Sequence, residues 1–234
     1  MLLGTKSTGS FSSWDGRYKL ELKNYEEYCD EGEVWFGKAA ESRMVKYLAS
    51  LKLPFTARIV DLGCGNGSLL RHLRQRGFLS LTGVDYCRDA ITLAKSVTVQ
   101  EEKDLEAALP PIQFQVVDLL SVEGSLGTFA VVLDKGTWDA MSLSDEYERR
   151  LASYRSLLCR ILDKNGLFII CSCNFVRQVL VLLIQIIFLS RDELCEQFGV
   201  SPLRFKLEIE PENSFSFGGK KGVTSTTVVF EKIS

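Results

Sequence analysis

The 234-residue chain sets 28 Lys and Arg against 30 Asp and Glu, a formal net charge of -2 that leaves no overall footprint for nucleic acid. Its 46% hydrophobic and 25% charged residues read as a soluble globular protein long enough for a full core. Seven cysteines, an odd number, and a single histidine, His72, speak against a disulfide framework and a histidine-rich metal site, so reduced thiols, a cytosol-like compartment and no metal are expected.

Residues 1–13 are rich in Gly, Ser and Thr, carry no signal-segment pattern and are expected to be flexible. Residues 14–234 are expected to form a single domain, opened by a helical cap at 14–53. In the cap, Trp14, Tyr18, Leu22 and Tyr25 make one stripe of an amphipathic helix. The acidic stretch at 26–33 follows, then Val34-Trp35-Phe36-Gly37. Ala40, Met44, Leu48 and Leu51 line a second helix, closed by Pro54.

A strand at about 57–62 leads into Asp61-Leu62-Gly63-Cys64-Gly65-Asn66-Gly67 and a helix at 67–76. Residues 79–85 read as a second strand ending on Asp85, with Asp89 as a cap for the next helix. Residues 113–118 form a third or edge strand that ends on Asp118. The apolar run 129–133 ends in Asp134 and suits a strand buried on both faces. A helix at 146–162 and an apolar strand at 167–171 come next. Repeated strand, loop and helix imply a mostly parallel sheet covered on both faces.

Residues 175–189 are almost wholly apolar and lack clean periodicity. They are too short and interrupted for a membrane span and are expected to be an insertion relative to the working fold, one that could impair folding or substrate entry. Ser190 with Glu193 makes a capping box for the helix that follows. Alternation at 203–210 and 226–232 predicts an antiparallel pair closing the sheet edge, with a long turn around 214–220.

Carboxylates at strand ends carry the chemistry. Ligands of open parallel sheets bind beyond the carboxyl ends of the strands. Asp85 stands about twenty residues past the first glycine, where a carboxylate accepts ribose hydroxyls. The glycines fall at 63, 65 and 67, which is not the Gly-x-Gly-x-x-Gly dinucleotide spacing, and no Gly-Lys-Ser/Thr phosphate loop is present. Asp61 would repel a pyrophosphate and suits a cofactor bearing an ammonium group. S-adenosylmethionine has an ammonium, a sulfonium and an adenosine.

With those motifs the chain resembles the seven-strand, Rossmann-like methyltransferases that use S-adenosylmethionine. The segments Glu31-Gly32-Glu33-Val34-Trp35-Phe36-Gly37, Val60 to Gly67, Gly83-Val84-Asp85-Tyr86, Leu133-Asp134-Lys135-Gly136-Thr137-Trp138-Asp139 and Phe215-Ser216-Phe217-Gly218-Gly219 are similar to the lysine methyltransferases acting on the alpha subunit of translation elongation factor one. The resemblance implies an α/β fold whose mostly parallel sheet has an antiparallel C-terminal edge and helices on both faces. It implies that Asp61, Gly63, Cys64, Gly65 and Gly67 hold the methionine part, Asp85 and Tyr86 the ribose, and Asp118 and Leu119 the adenine edge. Trp35 and Phe36 would close the pocket. Asp134 and Asp139 are candidates to steer the acceptor ammonium and take its proton, and Trp138 could wall the channel or face the cation; loop packing is the other reading of Trp138 and Asp139. The implied substrate is a protein lysine in the cytoplasm, and the chain is expected to act as a monomer without nucleic acid or membrane. The acidic stretch 26–33 is either a surface for a basic substrate or a solvated charge run. No Asn/Asp-Pro-Pro-Tyr segment follows Asp134, which speaks against methylation of a base or an amide. A small-molecule methyltransferase, a nicotinamide-dependent oxidoreductase and an inactive scaffold are the competing classes.

Overall fold

Side chains on alternate sides of each central strand divide the core into two layers. Val60 and Leu62, Val132, Phe168 and Ile170, and Val228 and Phe230 join one apolar cluster. Their neighbours Ile59, Val131 and Leu133, Leu167 and Ile169, and Val229 join another. This is the period of two that a strand imposes when both faces are covered. The computed structural model in which this is seen describes residues 11–104, 109–121, 126–172, 191–211, 215–217, 220–222 and 225–233.

The sheet runs β3 (Gln113–Val116), β2 (Ser80–Asp85), β1 (Arg58–Leu62), β4 (Phe129–Lys135), β5 (Leu162–Ser172), β9 (Thr226–Lys232), β6 (Leu203–Glu208). Pairings among β1 to β5 are parallel, while β9 runs against both of its neighbours. The seven strands, the parallel majority and the antiparallel C-terminal edge agree with the expected Rossmann-like architecture. Strand order reverses between β1 and β4, so a crevice opens past Leu62 and Lys135.

Helices α2 (Gly37–Ser50), α3 (Ser68–Gln75) and α4 (Arg88–Asp104) supply Met44, Leu48, Leu70, Leu73 and Ile91 to one layer. Helices α5 (Thr137–Ser142), α6 (Tyr147–Ile161) and α7 (Arg191–Phe198) supply Trp138, Tyr154, Leu158 and Phe198 to the other. Helix α1 (Phe11–Tyr28) packs on α4, with Tyr18 against Cys87, Ala90 and Leu93.

Several local expectations change. Helix α1 begins at Phe11, inside the stretch expected to be flexible. Asp89 lies within the first turn of α4 rather than capping it; the turn before the helix is held by Asp85, whose Oδ1 accepts the Cys87 N–H at 2.9 Å. The short helix α5 was not expected, because its six residues are too few to show a period. Strand β5 starts five residues early, since Leu162 pairs with Phe129 before the register shifts. Within the expected turn at 214–220, Phe215–Phe217 pairs with Lys220–Gly222 as a separate two-stranded hairpin, β7 and β8. The apolar stretch 175–189 and Ser190 of the proposed capping box lie outside the described residues. Among the described residues no helix is long and apolar enough to cross a membrane.

Candidate functional site

The turn after β1 is held by β2 from beneath. Gly63 N–H and Cys64 N–H both donate to the Val84 carbonyl, at 2.7 and 3.0 Å, and Gly65 N–H donates to Asp85 Oδ2 at 3.1 Å. Gly63 has φ +71° and Gly65 φ +53°, conformations that side-chain-bearing residues resist. A side chain at Gly63 would also strike the Thr137 hydroxyl, and one at Gly65 the Tyr18 hydroxyl. Gly67 precedes α3 and packs against Phe114.

A cleft of about 800 Å³ opens over this turn. Of the residues singled out from sequence, Trp35, Gly63, Asp85, Tyr86, Asp118 and Leu119 line it. Trp14 and Tyr18 of α1, Lys135, Gly136 and Thr137 after β4, and Met141 and Arg150 line it too. The aromatic stripe of α1 was legible as a helix face, but nothing in its spacing says that the face meets a cleft. Trp14 and Trp35 sit edge to face, centroids 4.7 Å apart.

Charge is arranged along the cleft. Burial pushes the Asp85 carboxyl up to about 6, against the backbone N–H groups of Cys87 and Gly65 that favour its ionised form. Burial pushes the Asp61 carboxyl further, to about 8, against the neighbouring Lys135 charge, which lowers it. Asp61 itself is buried next to the end of β1 and does not line the cleft wall. Lys135 does line the cleft, and its Nζ donates to the Trp35 carbonyl at 3.2 Å. Asp118 turns its Oδ1 back onto the Leu120 N–H at 2.9 Å.

The residues expected to steer the acceptor amine sit elsewhere. Asp134 is fully buried; its carboxylate accepts the Thr137 N–H at 2.9 Å, the Trp138 N–H at 3.0 Å and the Tyr154 hydroxyl at 2.6 Å. Burial pushes it up to about 6 despite those donors. Trp138 is also fully buried, stacked on Tyr154 at 5.6 Å, with Nε1 donating to Gln197 Oε1 at 2.6 Å. Asp139 Oδ1 accepts the Ser172 hydroxyl at 2.7 Å. None of the three lines the cleft. Their geometry is that of packing and positioning: Asp134 starts α5 and so places Gly136 and Thr137 against Leu62, whose carbonyl accepts the Thr137 hydroxyl at 2.6 Å. Phe36 stands behind the wall, where a Cβ on Gly136 would meet its ring at 2.8 Å, and Cys64 is buried in the α2–α3 layer with its thiol pushed up by burial. Acidic residues of 26–33 are engaged within the chain: Glu31 with Arg71 at 2.8 Å, Glu33 with Arg17, Glu27 with Lys23 at 3.6 Å, and Asp30, whose Oδ1 accepts the Gly32 N–H at 3.1 Å.

The family described as a methyltransferase domain matches residues 56–201. Human EEF1A lysine methyltransferase 2 is 34% identical over 226 residues, spanning 96% of this chain and 86% of that protein. The chain belongs to the EEF1A lysine methyltransferase family. Protein-lysine N-methyltransferase EFM4 of Saccharomyces cerevisiae is 34% identical over 241 residues, covering 98% of this chain and 96% of its own. Among solved structures, an S-adenosylmethionine-dependent methyltransferase from Clostridium acetobutylicum superposes with a TM-score of 0.60 at 11% identity, over 93% of this chain and 99% of that one. That likeness speaks to the fold alone. Membership makes the chain an S-adenosylmethionine-dependent methyltransferase of the protein-lysine class.

The residues present fit that cofactor. Asp85 lines the cleft with each oxygen bound to one backbone N–H, which leaves further lone pairs for hydroxyl donors. The amino-acid end, a zwitterion, would face Lys135 at the cleft wall, with Asp61 buried close to that lysine. The indole N–H groups of Trp14 and Trp35, whose residues line the cleft, are buried and have no acceptor among the described residues.

Proposed function

We propose that this chain transfers methyl groups from S-adenosylmethionine to a lysine side chain of translation elongation factor 1-alpha, in the cytosol. The observation that carries the reading is one cleft in which Asp85 and Lys135 stand ready for the two polar ends of the cofactor. Human EEF1A lysine methyltransferase 2, which matches nearly the whole chain, supports the factor as substrate, and the protein-lysine methyltransferase EFM4 supports a protein lysine as acceptor.

S-adenosylmethionine, when bound, supplies a methyl group on a cationic sulfur, open to direct displacement. Asp85 would hold the ribose end and Lys135 the amino-acid end, both lining the cleft together with Gly63 and Thr137. Orientation of that kind is worth about 7–11 kcal/mol in favourable cases. The incoming lysine has a free pKa of about 10.4 and must be neutral to attack. Trp35 and Met141 give it a low-polarity approach, which disfavours the ammonium form. Asp134 positions the Gly136–Thr137 wall through its backbone contacts and takes no part in the transfer.

The test is calorimetric titration of the folded protein with S-adenosylmethionine, followed by incubation with elongation factor 1-alpha. Binding that Asp85→Ala weakens, together with methylation of a lysine, supports the reading. Absent binding, or methyl groups found only on small molecules, overturns it.

A further inference from the structure

We propose that Glu41, which lies outside the cleft, is a positioning residue for the amino-acid end of the cofactor and acts through Lys135. Glu41 sits on α2 and is 1% exposed. Its Oε1 takes two donors from α3, the Ser68 hydroxyl at 2.7 Å and His72 Nδ1 at 2.5 Å. Its Oε2 is buried and has no hydrogen-bond partner among the described residues. The cation that Oε2 faces is Lys135 Nζ, 3.9 Å away. Lys135 is the cleft-lining cation whose Nζ also donates to the Trp35 carbonyl.

The arrangement has a direction. Ser68 and His72 pin one oxygen of Glu41, which leaves the other aimed at a lysine that reaches the cofactor space. Burial alone would raise the Glu41 carboxyl; the His72 and Ser68 hydrogen bonds and the Lys135 charge more than offset this, so it lies below its ordinary value and is ionised at neutral pH. An ionised carboxylate beside a poorly hydrated ammonium holds that ammonium in place. Without it, Lys135 keeps the Trp35 carbonyl and the more distant, buried Asp61 and Asp134 among the described residues.

The inference rests on the reading that the cleft takes S-adenosylmethionine, and two probes separate the two. S-adenosylhomocysteine carries the amino-acid end, whereas 5′-methylthioadenosine keeps the adenosine and lacks it. Glu41→Gln should weaken S-adenosylhomocysteine binding about tenfold and leave 5′-methylthioadenosine binding unchanged. In a Lys135→Met background the same substitution should add nothing. If Glu41→Gln does not fold, Glu41→Asp, which keeps the charge and withdraws it by one methylene, should show the same selective loss at smaller size. Equal weakening of both ligands, or of neither, overturns the role of Glu41 and leaves the cofactor reading intact. Wild-type protein that binds neither ligand overturns both.

Discussion

Asp85 ties the tip of β2 to the glycine turn, its Oδ2 accepting the Gly65 N–H at 3.1 Å while Oδ1 accepts the Cys87 N–H at 2.9 Å. The carboxylate that faces the ligand is thus also the one that shapes the turn beneath it.

Asp85→Ala should therefore weaken S-adenosylmethionine at least tenfold and lower stability by about 1–3 kcal/mol, the range for buried donors left without partners. Because the carboxyl is pushed up to about 6 by burial, and hydroxyl donors favour its ionised form, affinity should fall as the pH drops through about 6. Titration calorimetry across that range should show the inflection in wild type and none in Asp85→Ala.

Asp61 makes a different pH dependence. Its folded pKa, about 8, lies above the value of about 3.9 in an unfolded chain. Its contribution to stability is fully present below the lower value and is lost as pH rises through the higher one. The protein without ligand should thus lose stability progressively from about pH 4 to about pH 8. Asp61→Asn should flatten that slope and stabilise the ligand-free protein at the upper end by about 1–3 kcal/mol, while weakening S-adenosylmethionine. Denaturant midpoints at each pH, with and without cofactor, measure both. A slope unchanged by the substitution would remove Asp61 as its source.

Asp134→Ala should act on stability first. It strips acceptors from Thr137 N–H, Trp138 N–H and the Tyr154 hydroxyl in a fully buried place. A loss of about 3–5 kcal/mol is expected, against about 1–2 kcal/mol for Tyr154→Phe. Urea unfolding of the two variants gives the comparison. Wild-type stability with lost turnover would instead return Asp134 to the reacting groups.

The sequence disclosed the ligand end of the fold better than the acceptor end. The β1 turn and a second strand ending on Asp85 were legible because strand period, glycine spacing and a terminal carboxylate all point to the same crevice. Asp134 looked like its equal, a carboxylate closing an apolar strand, yet its side chain is spent within the fold. Spacing along a chain does not tell which strand-end carboxylate is capped by its own helix. Trp14, Tyr18 and Lys135 were missed as site residues for the converse reason: α1 folds over the turn from more than forty residues upstream, and Lys135 follows a more conspicuous neighbour. Glu41 read as an ordinary helix position, because only the packing of α2 on α3 brings it to Ser68 and His72.

Gly65→Ala probes the α1 cover. The added methyl would strike the Tyr18 hydroxyl at a φ of +53°. Stability should fall by about 1–3 kcal/mol, with a loss of cofactor affinity that Tyr18→Phe only partly restores, since the backbone strain persists. Full restoration would make the clash, and not the turn conformation, the reason for glycine.

The decisive measurement is mass spectrometry of purified elongation factor 1-alpha after incubation with the enzyme and isotope-labelled S-adenosylmethionine. Label on a lysine side chain is expected, with markedly less label when Asp85→Ala replaces the wild-type enzyme. Protein that binds the cofactor and leaves every lysine of the factor unlabelled would contradict this expectation.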